Sequence, residues 1–269
     1  MSRPPLSLDS LTLTDTAPRE AIRAAALSGF DLVSLWTFPP PMYPKQLLTP
    51  AMERECAAAL AQNGLRVHSL EAIDLSAEDA VLAALPGMEI GARLGAEVVL
   101  ALHYGNPDRS QAAEVLGLLV TEARRFGLKV NLEPVAMGQT RTLAQAAELI
   151  RQAGVDAGIL FDTYHFARVG GQLADITAIR PGLIRYIQVC DGLLAVPEAD
   201  WTAESLQERL YPGYGEFPLL EMLRCLPGDI PWAIETPSLR RASAGISPEA
   251  QAREAHQALV TLVESALAR

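Results

Sequence analysis

The stretch LKVNLEPVAMGQTRTLAQAAELIRQAGVDAGILFDTYH (128–165) decides the fold. Its apolar run 128–133 reads as a strand, TLAQAAELIRQAG (142–154) as an amphipathic helix, and 156–162 as a second strand. Gly154 supplies the left-handed stop that ends a helix and turns the chain straight into the next strand. Each strand closes on a carboxylate, Glu133 and then Asp162, and the 29 residues between them make one βα repeat.

The same pattern extends in both directions. Strands are expected at 6–13, 31–36, 65–71, 97–103, 128–133, 156–162, 183–190 and 231–235, with helical stretches such as 18–29, 49–64 and 109–127 ending on Gly29, Gly64 and Gly127. Eight strand–helix alternations predict an α/β chain folded as a single (β/α)8 TIM barrel, one domain over residues 1–269. An open doubly wound sheet would carry a Gly-rich phosphate turn after its first strand, and no GxGxxG stands there. Asp162 to Gln188 is again about one repeat, 26 residues, whereas Gln188 to Glu235 takes 47. The surplus, 191–217, is rich in Pro, Gly and aromatic residues and reads as a long loop able to cover the top of the barrel.

Active sites of such barrels sit at the C-terminal ends of the strands. Four oxygen donors close four expected strands: Glu133 in NLEP, Asp162 in FDTYH, Gln188 in IQVCD and Glu235 in AIETP. Three carboxylates gathered at one end repel one another unless a hard cation stands between them, and oxygen donors suit Mg²⁺ or Mn²⁺ best, with Co²⁺ or Zn²⁺ as alternatives. The other strand ends add LWTF (35–38), HSLEA (68–72) and ALHYG (101–105). Trp36 and Phe38 would form an apolar wall, while Glu71 and His103 would meet a hydroxylated ligand. His68 falls on the opposite side of its strand from Glu71 if that strand is regular, and His256 reads as a surface residue. Asp162 also suits the N-cap of a segment starting at Thr163. Cys190 reads as a small buried residue, Glu216 as a loop-shaping one, and Arg168, Arg240 and Arg241 as cations within reach of a substrate anion.

The net charge of −10 and pI near 4.9 speak against a nucleic-acid partner, which needs a cationic surface. Cys56, Cys190 and Cys225 are scattered, with no CxxC pair, so neither a disulfide framework nor a structural zinc site is expected. No apolar leader or membrane-length run is present. The expectation is a cytoplasmic protein with a small-molecule substrate and no membrane or nucleic-acid partner, and with homo-oligomerisation left open.

NLEP, DTYH, QVCD, PGYGEFPLLEML (212–223) and IET, in that order, resemble the xylose isomerase-like TIM-barrel superfamily of sugar isomerases and epimerases, hydroxypyruvate isomerase, 3-dehydroshikimate dehydratases and endonuclease IV. The resemblance implies that Glu133, Asp162, Gln188 and Glu235 are metal ligands and that His165 contacts substrate. Sugar epimerases of this group commonly carry His where Gln188 stands, which is similar instead to the hydroxypyruvate isomerase and dehydratase branches. The dehydratase branch often has His two residues after the strand-5 Glu, and here that residue is Val135. With only four histidines the chain does not match the trinuclear zinc endonuclease. The implied activity is a metal-dependent isomerase or epimerase of carbohydrate metabolism, acting on a small hydroxy-carbonyl compound through an enediolate. Glu133 and Glu235 would be its acid/base pair, and the alternative is a dehydratase or lyase on a cyclic hydroxy-keto acid.

Overall fold

Eight short apolar runs pair side by side in sequence order, every pair parallel, and the last strand closes on the first. The computed structural model describes residues 3–39, 42–105 and 108–268. Its elements are β1 (Leu6–Leu8), α1 (Pro18–Ser28), β2 (Leu32–Trp36), α2 (Glu53–Asn63), β3 (Arg66–Asp74), α3 (Glu78–Arg93), β4 (Val98–Leu102) and α4 (Arg109–Arg125). Then follow β5 (Lys129–Leu132), α5 (Leu143–Ala153), β6 (Gly158–Asp162), α6 (Thr163–Arg168), α7 (Leu173–Thr177) and β7 (Ile184–Val189). The last repeat contains α8 (Trp201–Gln207), α9 (Leu219–Arg224), β8 (Trp232–Ile234), α10 (Leu239–Ser243) and α11 (Pro248–Leu267). This is the expected (β/α)8 barrel.

Both faces of a barrel strand are covered, which explains the nearly unbroken apolar runs. Side chains pointing outward, such as Val33, Leu70, Val99, Val130 and Ile187, merge with the helices into one large core. Inward-pointing Val98, Leu100, Leu160, Tyr186 and Ala233 make a separate small cluster that plugs the barrel. The helix ends follow local chemistry. Thr142 and Gln145 form a reciprocal capping box on α5, and Gly154 ends it in the left-handed region at φ 65°.

Three expectations are corrected. The first strand ends at Leu8 rather than at residue 13, because Asp9 turns into the barrel and Ser10–Leu13 forms a 3-10 turn. There the Ser10 N–H is taken by the Ser34 hydroxyl at 2.7 Å, so the ladder to β2 cannot continue. The third strand is not regular. Val33 pairs with Val67 but Ser34 with Ser69, so His68 is an extra, bulged residue. The bulge reverses the parity, and the His68 ring packs at a tilt against Tyr186 with centroids 4.5 Å apart, on the same inner side as Glu71. His256 is half-buried, edge-on to Phe30, and is not a surface residue. Cys56, Cys190 and Cys225 are free thiols. Among the described residues no helix is long and apolar enough to cross a membrane.

Candidate active site

Strand alternation places the polar residues at the barrel mouth. Leu160, Tyr186 and Ala233 point inward, so two residues on, Asp162, Gln188 and Glu235 do the same at the C-terminal end. Asn131 precedes Glu133, and Ser7 precedes Asp9, by the same step. All of these side chains are buried.

The carboxylates do not form one ring. Glu133, Asp162 and His165 make one group and Asp9, Glu71 and Glu235 a second, each with its candidate ligand atoms within 4.8 Å of one another. Gln188 belongs with the second group, its amide N–H₂ donating to Asp9 Oδ2 at 2.8 Å and to Glu235 Oε1 at 3.2 Å. Asp9 also accepts from the Tyr186 hydroxyl at 2.5 Å and from Ser7 at 3.0 Å. Between the groups stands Arg209, whose Nη1 is 2.7 Å from Asp162 Oδ2 and 2.9 Å from Glu235 Oε2.

Asp162 serves two purposes, as anticipated. Its Oδ1 caps α6 by accepting from the Tyr164 and His165 N–H groups, while Oδ2 faces Arg209. The cap turns His165 back over the mouth, with Nε2 3.4 Å from Glu133 Oε1. Its Nδ1 accepts from the Ala136 N–H at 3.3 Å, which leaves the ring proton on Nε2, facing Glu133. Burial lowers the His165 pKa to about 4, so the ring is neutral at pH 7.

Burial and mutual repulsion dominate the carboxyl groups. Burial first, then the Asp162 and Glu235 charges, hold Glu133 well above the usual carboxylate range. Glu71 is raised by burial and then by Asp9 and Glu235, and Glu235 is pushed up to about 8 by burial, with Arg209 pulling the other way. Burial also acts on Asp162, but the Arg209 charge and the hydrogen bonds outweigh it and keep that group below its ordinary value.

The remaining expected contacts divide. Trp36 ends β2 beside Glu71 in register, with its indole N–H bonded to the Phe38 carbonyl at 2.7 Å. Phe38 itself packs outward against Gly87 of α3 and supplies no wall to the mouth. His103 is buried at the end of β4, its Nδ1 2.9 Å from the Thr140 hydroxyl, and neither acidic group includes it. Arg168 is spent on Glu204 through two bonds of 2.9 and 2.7 Å, and its guanidinium stacks on Tyr164 and Phe217. Exposed Arg240 lies 3.7 Å from Glu208, and Arg241 covers the Tyr211 ring. Glu216 binds the Leu194 N–H at 2.8 Å and shapes the loop.

Two residues of the site were absent from the sequence reading. Asp9 closes an apolar strand by the rule that found the others, but drawing that strand to residue 13 hid it. Arg209 lies in the long loop 191–217, where no periodicity marks an inward side chain.

The donor set suits a hard divalent cation. Five buried carboxyl groups face one buried guanidinium that bridges two of them, so the acidic groups outnumber the resident cation. Among the described residues Gln188 Oε1 is buried without a hydrogen-bond partner, as is Glu71 Oε1. An orphaned amide oxygen beside carboxylates is what a hard cation would satisfy. The groups that could hold it are Glu133, Asp162 and His165 on one side and Asp9, Glu71 and Glu235, with Gln188 beside them, on the other, so the expected set of Glu133, Asp162, Gln188 and Glu235 draws on both.

No curated protein matches this chain in sequence. Among solved structures it superposes on a xylose isomerase-like TIM barrel/4-hydroxyphenylpyruvate dioxygenase fusion protein with a TM-score of 0.82 at 21% identity, covering 97% of this chain and 43% of the fusion protein. A structure of the IOLI protein with a bound zinc atom is similar at TM-score 0.79 and 17% identity, over 98% of this chain and 99% of the other. L-ribulose 3-epimerase follows the same fold at TM-score 0.71 and 19% identity, over 99% and 96% of the two chains. A family model described as xylose isomerase-like TIM barrel matches residues 22–262, and the chain belongs to that family.

Proposed function

We propose that this barrel is a divalent-metal-dependent isomerase or epimerase of a small hydroxy-carbonyl compound, working by proton transfer through an enediolate. One observation carries the reading: Glu133 and Glu235 lie in a single buried mouth with both pKa values raised, Glu235 to about 8. A carboxyl group held above its ordinary range, as Glu133 is and as Glu235 is at about 8, is a stronger base that can both take and return a proton, which is what moving hydrogen from a carbon beside a carbonyl requires. A solvated carboxylate near pH 4 is too weak a base for this.

The chain's residues then divide the work. One of Glu133 and Glu235 removes the proton, and the other returns it to the same carbon or to its neighbour. Neutral His165, with its proton on Nε2, donates a hydrogen bond to the substrate oxygen on which charge develops. Trp36, Glu71 and His103 are assigned to the substrate's remaining surface. A bound divalent cation would supply electrophilic stabilisation of that developing charge. The zinc-bearing IOLI neighbour and the L-ribulose 3-epimerase neighbour support a metal and a sugar-like substrate respectively. Val135, buried and apolar, cannot carry a proton, so a dehydratase that depends on that position is disfavoured.

The test is solvent-hydrogen exchange in D₂O over a panel of ketoses and hydroxypyruvate. Wild type should wash deuterium into the carbon next to the carbonyl, and Glu133→Gln or Glu235→Gln should lower the rate by about 10²-fold or more while the fold persists. Retained exchange in both variants would sink the proposal. An unsaturated, UV-absorbing product would transfer the assignment to the dehydratase reading.

A further inference from the structure

The cation already present in the mouth is part of the protein. Arg209 Nη1 stands between Asp162 Oδ2 and Glu235 Oε2, at 2.7 and 2.9 Å. Both carboxylates are expected metal ligands. The guanidinium is held on several sides: Nε donates to the Ser205 carbonyl at 2.9 Å, Nη2 to the Ser205 hydroxyl at 3.1 Å, and Cζ lies 4.7 Å from the Tyr164 ring centre. Tyr164 is in turn fixed by its hydroxyl bonds to the Trp201 carbonyl and Glu204.

The geometry points to Arg209 and a divalent cation as alternative occupants of one seat: the arginine neutralises the Asp162–Glu235 pair while the cation is away, and must swing off it for the cation to bind. This rests on the metal-dependent reading above. A cation ligated by the same two oxygens would stand where Nη1 stands. Two positive charges cannot share that position, and a buried carboxylate pair left with neither is strongly disfavoured. Metal uptake by this protein therefore works against a competitor of its own.

The exchange belongs to the side chain rather than to a moving loop. The Arg209 N–H donates to the Pro237 carbonyl at 3.0 Å, Leu210 and Asp191 bond each other through both backbone groups at 2.8 and 3.0 Å, and Glu208 bridges Ser238. These bonds pin the backbone on both sides of residue 209 to the ends of β7 and β8. Leaving the seat therefore takes rotation about the arginine's own torsions, with release of its two bonds to Ser205.

Two measurements with Mn²⁺ alone test this, neither needing substrate. In titration of the metal-free protein, Arg209→Gln should bind Mn²⁺ at least about ten-fold more tightly than wild type. A crystal of wild type soaked in Mn²⁺ should show the anomalous peak beside Asp162 and Glu235 with the guanidinium withdrawn beyond about 4 Å from both carboxylates. The crystal needs no variant, so a misfolded Arg209→Gln leaves the idea testable, and it separates a shared seat from a mere effect of removing charge. Affinity no tighter in the variant, or Mn²⁺ bound with Arg209 still on both carboxylates, would overturn the inference. Failure of both proteins to take up Mn²⁺ would overturn it together with the metal-dependent reading, whereas the roles of Glu133 and Glu235 are judged separately by deuterium exchange.

Discussion

Stability of the metal-free protein should fall as pH rises from 6.5 to 8. Glu235 is pushed up to about 8 from an ordinary 4.5, so the folded state keeps a proton that the unfolded chain has already released. Its contribution is complete below 4.5 and lost as pH rises through about 8, and Glu71 and Glu133, also raised, act in the same direction. His165 opposes them lower down. With its pKa lowered to about 4 from 6.5, it adds stability as pH rises between those values and nothing above them. Asp162, lowered, loses its contribution only in acid. Above pH 6.5 the raised carboxyls therefore act unopposed, and Glu235 alone is worth about 1.4 kcal/mol per pH unit, roughly 2 kcal/mol by pH 8. In a chain of this size that lowers Tm by about 4–8 °C. Differential scanning calorimetry in EDTA across pH 5–9 reads it directly. Glu235→Gln should flatten part of the slope, and saturating Mn²⁺ should remove it by holding the carboxylates ionised. A Tm that is flat or rising from pH 6.5 to 8 in EDTA, with Glu235→Gln indistinguishable from wild type, would refute the reasoning.

Three further outcomes follow from single contacts. Asp191 accepts four backbone N–H groups, from Gly192, Gly213, Gly215 and Phe217, at 2.9–3.0 Å, so Asp191→Asn turns one face of that clamp into a donor facing donors and should cost about 2–4 kcal/mol in a urea titration. Gly215→Ala would bring its Cβ to 2.4 Å from Asp191 Oδ1 and 2.6 Å from the Gly192 backbone, and should cost about 1–3 kcal/mol by the same measurement. Gln188→Glu replaces an amide that donates to Asp9 and Glu235 with a third acceptor, so in EDTA at pH 8 its Tm should drop below wild type and recover on adding Mn²⁺. An unchanged Tm would mean that the amide's two bonds carry no weight.

The barrel was legible because both periodicities it depends on are local. Glycine stops such as Gly154 end helices by backbone conformation alone, and the two-residue step of a strand carries an inward Tyr186 to an inward Gln188 without reference to any other part of the molecule. That step succeeded for Asp162, Gln188 and Glu235, and it failed where the strand itself departed from regularity. The bulge at His68 broke the parity of β3, and the early end of β1 hid Asp9, because Ser34 on another strand, 24 residues away, takes the Ser10 N–H that would have extended it.

What spacing cannot supply is the partner of each charge. Four oxygen donors at four strand ends imply one cation among them, yet the carboxylates fall into two groups, and the cation that joins those groups comes from a loop. Arg209 reaches the mouth because residues 208–210 are bridged to Asp191 and Ser238 beyond the strand ends, and because Tyr164, positioned by the Asp162 cap, lies against its guanidinium. Each of these is a long-range coincidence with no period to read. Asp162 orients the helix turn that carries Tyr164, Tyr164 steadies Arg209, and Arg209 returns to Asp162. A closed cycle of this kind fixes the electrostatics of the mouth more tightly than any of its members could alone, since removing one leaves the next buried group without its partner.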